Sequence, residues 1–84
     1  MEKRTYKILG YRANGRQYIN KERVCTPDAL TERLIRLICA TSNEFHVIFD
    51  GLNGQMRVAF CTQRRLNEIG REKLKAEMLA YFLL

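Results

Sequence analysis

The 84-residue chain has no tryptophan, one proline, one histidine and three cysteines. Each scarcity excludes something. Cys25, Cys39 and Cys61 are an odd set without CxxC spacing, which suggests neither a disulfide framework nor a zinc knuckle. One histidine among scattered cysteines does not make up a tetrahedral metal site, so no metal and no cofactor is expected. Reduced, partly buried thiols are. No run approaches the roughly 20 apolar residues of a membrane span, and the first residues lack the apolar core of a signal peptide. A cytoplasmic protein is the expectation. Acidic residues are also few, nine against fifteen lysines and arginines, for a net charge of +6.

What is present is a repeated pattern. Asn14-Gly15 and Asn53-Gly54 are each flanked by strand-like residues, and each is followed by a threonine, Thr26 or Thr62, that opens an amphipathic stretch. Asn-Gly favours a two-residue type I′ hairpin turn, which needs positive φ at both central positions. The chain reads as one α+β domain, ββαββα: a basic hairpin over 1–25, a helix over 26–43, a second hairpin over 44–61 and a second helix over 62–84. The expected architecture is a two-layer sandwich, a four-stranded antiparallel sheet with both helices on one face. The two ββα halves suggest a pseudo-two-fold.

The turns predict the register. Around Asn14-Gly15, Tyr11 should pair with Tyr18, Leu9 with Asn20 and Lys7 with Glu22. That assigns Leu9, Tyr11, Ala13, Tyr18 and Val24 to the core and leaves Tyr6, Ile8, Arg12, Gln17, Ile19, Lys21 and Arg23 outside. A bulge at Gly10 would exchange the faces. Around Asn53-Gly54, Phe49 should face Val58 and Val47 face Phe60, with Phe45 and Met56 on the same apolar side. Asp50–Arg57, Ile48–Ala59 and His46–Cys61 fall on the other. Thr26 is a suitable N-cap, Pro27 fits the first helical position, and Leu30, Leu34, Leu37, Ile38 and Thr41 form the inner stripe, widened by Ile35. In the second helix Leu66, Ile69, Leu74, Met78, Tyr81 and Phe82 face inward, and Gly70 permits a kink.

Charge placement is the functional lever. Residues 1–25 carry seven cations and two acids, so nearly all the excess lies on the first hairpin. Tyr6, Tyr11 and Tyr18 among arginines offer stacking beside phosphate contacts. Arg64 and Arg65 oppose the dipole of the helix they open. Either they form an anion site with its first amides, or Arg64 pairs with Glu68 one turn on. Cys61, predicted beside His46 and ahead of two arginines, would be a weak nucleophile–base pair lacking a third member. A non-enzymatic module follows. Its partner-binding residues would be Tyr6, Arg12, Arg16, Lys21, Arg23, Arg64 and Arg65, and its partner most readily nucleic acid. The alternative is a regulator or inhibitor, of the kind phages and mobile elements carry, docking on an acidic or nucleic-acid-handling protein. The apolar run 80–84 would dock onto its own domain or, through Leu79, Leu83 and Leu84, onto a second copy.

Overall fold

The computed structural model describes residues 2–84. Strands β1 (Arg4–Tyr11) and β2 (Gln17–Cys25) are followed by helix α1 (Pro27–Ala40), strands β3 (Glu44–Asp50) and β4 (Met56–Cys61), and helices α2 (Gln63–Ile69) and α3 (Arg71–Phe82). The four strands form one antiparallel sheet in the order β2-β1-β3-β4. This α+β arrangement sets the two hairpins symmetrically about the central β1–β3 pair.

Both turns differ from the two-residue form, and in the same way. Arg12 N–H donates to the Arg16 carbonyl at 2.9 Å and Gly15 N–H to the Arg12 carbonyl at 2.8 Å. In the second hairpin Gly51 N–H donates to Gln55 at 2.7 Å and Gly54 N–H to Gly51 at 2.9 Å. Each loop therefore holds three residues and ends on a glycine of positive φ, +83° at Gly15 and +81° at Gly54. Among the described residues no other residue type takes positive φ. The asparagines instead accept from the backbone two residues on: Asn14 Oδ1 from Arg16 N–H at 2.9 Å, Asn53 Oδ1 from Gln55 N–H at 3.1 Å. Asn-Gly here makes a side-chain-locked turn with a glycine bulge, the second commonest hairpin closure.

That extra loop residue decides the faces. In the first hairpin Tyr11 pairs with Gln17 but Gly10 with Ile19, so Tyr18 is a surplus residue that cancels the shift. Leu9–Asn20 and Lys7–Glu22 pair as the sequence suggests, whereas Tyr11–Tyr18 does not. The second hairpin has no such correction. Phe45 pairs with Cys61, His46 with Phe60, Val47 with Ala59, Ile48 with Val58 and Phe49 with Arg57. A one-residue slip reverses every side chain of a strand. Ala59 and Cys61 thus point into the core, while Met56, Val58 and Phe60 point out.

The faces of the first hairpin are also the reverse of the expectation. Tyr6 and Ile8 are buried, and Leu9 and Tyr11 lie on the other side. The cause is β3. Its Phe45, Val47 and Phe49 form the most apolar set in the sheet, and β1 residues in register with them, Gly10 opposite Phe45 and Ile8 opposite Val47, share their side. Gly10 is needed there: a Cβ would lie 3.1 Å from the Phe45 ring, 3.1 Å from Ile19 Cβ and 3.2 Å from the Tyr18 ring.

One buried cluster joins Tyr6, Ile8, Phe45, Val47 and Phe49 of the sheet to both longer helices. From α1 come Leu30, Leu34, Ile35 and Ile38, and from α3 come Leu74, Met78 and Phe82. The cap of α1 is as its sequence suggests, Thr26 Oγ1 accepting from Ala29 N–H at 3.2 Å. The second helical stretch is broken, which corrects the single helix over 62–84. Gly70, at φ +84°, donates to the Leu66 carbonyl at 2.8 Å and accepts from Leu74 N–H at 3.0 Å, ending α2 and starting α3. No described helix is long and apolar enough to cross a membrane.

Candidate nucleic-acid interface

The cations of the first hairpin lie along the sheet edge. Lys21 and Arg23 are in register with Ile8 and Tyr6, so they share the side of the sheet on which those two residues are buried. Lys21 is exposed and Arg23 half-buried. Arg33 of α1 stands nearby: burial pushes the Cys25 thiol up against the opposing fields of Arg23, Arg33 and Lys3. Arg12 and Arg16 sit at the hairpin tip, both exposed. The Arg12 guanidinium stacks 4.5 Å from the Tyr18 ring centroid, and the Tyr18 hydroxyl accepts from Asn43 Nδ2 at 2.8 Å. The bulge that places Tyr18 thus gives Arg12 a fixed platform.

Ion pairs hold three of the helical cations. Arg64 bridges Glu68 at 3.3 Å, and Arg65 bridges Glu68 at 3.2 Å and Glu77 at 2.8 Å. Hydrogen bonds to Glu77 and then Glu68 raise the Arg65 pKa. Lys75 of α3 pairs with Glu32 of α1. Among the described residues no cation of the first hairpin takes part in an ion pair.

The candidate residues do not all converge. A cleft of about 350 Å³ at the hairpin tip brings Arg12 together with Arg64, lined also by Gly15, Asn43, Glu44 and Gln63. Arg65 faces away, onto an apolar groove of about 430 Å³ between β4 and α3 that includes Val58, Phe60, Met78 and Tyr81. Tyr6 leaves the set altogether. It has 0% exposure, with ring centroids 5.4 Å from Phe82 and 5.9 Å from Phe49.

The nucleophile–base pair does not form. His46 is in register with Phe60, on the face opposite Cys61. Cys61 is buried, and loss of hydration pushes its thiol up to about 12. Arg57 lies across from Phe49 and over the Tyr81 ring at 5.9 Å, with no bridge to Asp50. No group of three or more His, Cys, Asp or Glu among the described residues could hold a metal ion. In the apolar run Phe82 is buried, Leu79 half-buried, and Leu83 and Leu84 exposed, with Leu52 N–H donating to the Leu84 carbonyl at 2.9 Å.

Arg33 was absent from the sequence-based set. Its signal was available in the helical period, which places it off the buried stripe, but its nearness to β2 is a tertiary fact. No family model matches the chain, and neither the curated proteins nor the solved structures contain a match to it.

Proposed function

We propose that the chain is a small non-enzymatic module that engages nucleic acid through Arg12, Arg16, Lys21 and Arg23 of its first hairpin. One observation carries this: among the described residues every cation of the first hairpin lies outside the ion pairs, whereas Arg64, Arg65 and Lys75 of the helices are held by carboxylates. An unpaired cationic edge costs self-repulsion and is complementary to a polyanion. The Arg12–Tyr18 contact supports the same reading, because a guanidinium already held over a ring loses less freedom on gripping a phosphate. We read the architecture as a two-layer sandwich with α1 and α3 on one side, since the buried residues of β1, β3 and β4 alternate onto one face. The basic edge then lies at the margin where β2 extends beyond the helices.

Fluorescence anisotropy with labelled single- and double-stranded oligonucleotides, at 50 to 200 mM salt, tests the proposal. If four phosphates are neutralised, the log–log slope should be about −2.8 on single strands or about −3.6 on duplex DNA. Replacing the four cations by alanine should flatten it towards zero. Alanine at Arg64 and Arg65, already paired, should change it little. Undetectable binding at low salt would move the stripe's partner to an acidic protein surface.

A further inference from the structure

We infer that the face of the sheet turned away from the helices is the contact surface for a second copy of this chain, packed sheet against sheet about a two-fold axis. The first ground is composition. On β4 the outward set is Met56, Val58 and Phe60, while the inward set is Arg57, Ala59 and Cys61. The strand turns its larger apolar side chains to water: Met56 is 74% exposed and Phe60 59%. Ile48 continues the patch beside Val58, and Leu9 beside His46. The His46 ring packs between Phe60 at 4.7 Å and Tyr11 at 4.6 Å, giving a row of rings across three strands. Strands apolar on both faces are those of sheets covered on both sides.

The second ground is charge, which rules out a polyanion on this face. Register and alternation put Lys7, Glu22, Glu44 and Asp50 on this face, one cation against three acids, in a chain of net charge +6. Here the acids sit around the apolar patch, and Glu44 lies 3.6 Å from His46. A polyanion is therefore disfavoured on this side. Two copies that are strongly basic overall meet here with their cationic edges apart and the acids left at the solvated rim, where like charges are screened. The edge of β2 stays outward in both.

The third ground is size. Strands lie ~4.8 Å apart and rise ~3.3 Å per residue, so four strands of six to nine residues present roughly 19 by 23 Å. That projection is about 440 Å², and its corrugated accessible area is of the order of the ~800 Å² each partner contributes to a standard interface. A two-fold axis uses the same patch on both copies.

Sedimentation equilibrium of the full chain from 1 to 100 µM tests this independently of any nucleic-acid binding. A dimer is expected, with a melting temperature that rises with protein concentration. Phe60→Lys and Val58→Glu, each at an outward position, should raise the dimer dissociation constant at least tenfold, while Leu84→Glu should leave it unchanged. A monomer throughout with a concentration-independent melting temperature would overturn the inference, even if another protein were found to bind the face. So would a dimer that persists in both outward variants, or one lost in Leu84→Glu, which would place the contact on the 79–84 segment. A wild-type monomer overturns the inference whatever the variants do, and either outward variant that folds reads the face for a wild-type dimer.

Discussion

Replacing Tyr6 by phenylalanine should stabilise the protein. The phenol is fully buried between Phe49 and Phe82, and its hydroxyl has no hydrogen-bond partner. Burial raises the phenol's pKa; the Arg4 guanidinium opposes it through its charge and, more weakly, through a side-chain contact with the hydroxyl, but the Arg4 N–H groups make their bonds to the carbonyls of Phe82 and Asp50. An unsatisfied buried hydroxyl costs about 1–3 kcal/mol in lost hydration, and phenylalanine keeps the ring contacts while removing it. A gain of about 1 kcal/mol is expected. In a domain of this size that raises the melting temperature by ~4–8 °C. Tyr6→Ala should instead lose ~3–5 kcal/mol through the cavity it leaves. With no tryptophan to report, urea unfolding followed by far-ultraviolet circular dichroism is the suitable assay, at fixed protein concentration with an unchanged m-value. A loss of 1 kcal/mol or more in Tyr6→Phe would show a partnered hydroxyl and refute the reasoning. Weakened oligonucleotide binding at unchanged stability would put Tyr6 back on the interface.

Cys61, its thiol held at about 12 by burial against an ordinary 9.0, should be alkylated about a thousandfold more slowly than an unfolded thiol at pH 8, while exposed Cys39 reacts readily. Mass spectrometry of the native protein with iodoacetamide reads both. Because Cys61 and Tyr6 are raised in the fold, their neutral forms are favoured there: this stability is fully present below about pH 9 and is lost as pH climbs towards 12, which unfolding titrations should show. Gly70→Ala should cost about 1–3 kcal/mol, since a side chain is strained at φ +84° and ψ 164°. Asn53→Gly should cost about 1 kcal/mol by losing the turn's side-chain bond to Gln55 N–H. A type I′ turn would predict no loss, so a neutral outcome would refute the three-residue loop.

Local chemistry explains what the sequence could tell. Thr26 and Pro27 start α1 because the cap and the fixed φ act within one turn, and the spacing of Leu30, Leu34 and Ile38 requires only a helix with one buried side. The concentration of cations on residues 1–25 is likewise a property of the chain, and with it Arg12, Arg16, Lys21 and Arg23 as candidates. Helix α2 was hidden for an equally local reason: the pattern runs on through Gly70, and only its backbone conformation shows the break.

The faces of the strands were decided elsewhere. Asn-Gly is compatible with two closures that differ by one residue, and that residue determines whether Phe60 or Cys61 enters the core. The bulge at Tyr18 undid the shift in one hairpin, and nothing undid it in the other. Which side of β1 is inner follows from its pairing with β3, a contact between residues about 40 apart in the chain. Four strands, capped helices and a basic first hairpin are legible along the chain, because these depend on neighbours within a turn or two. That Tyr6 is core, that Cys61 and His46 lie on opposite faces, and that the hairpin's cations stay outside the ion pairs emerge only once the strands have paired. Register and ion pairing join residues distant in the chain, and no local preference fixes them.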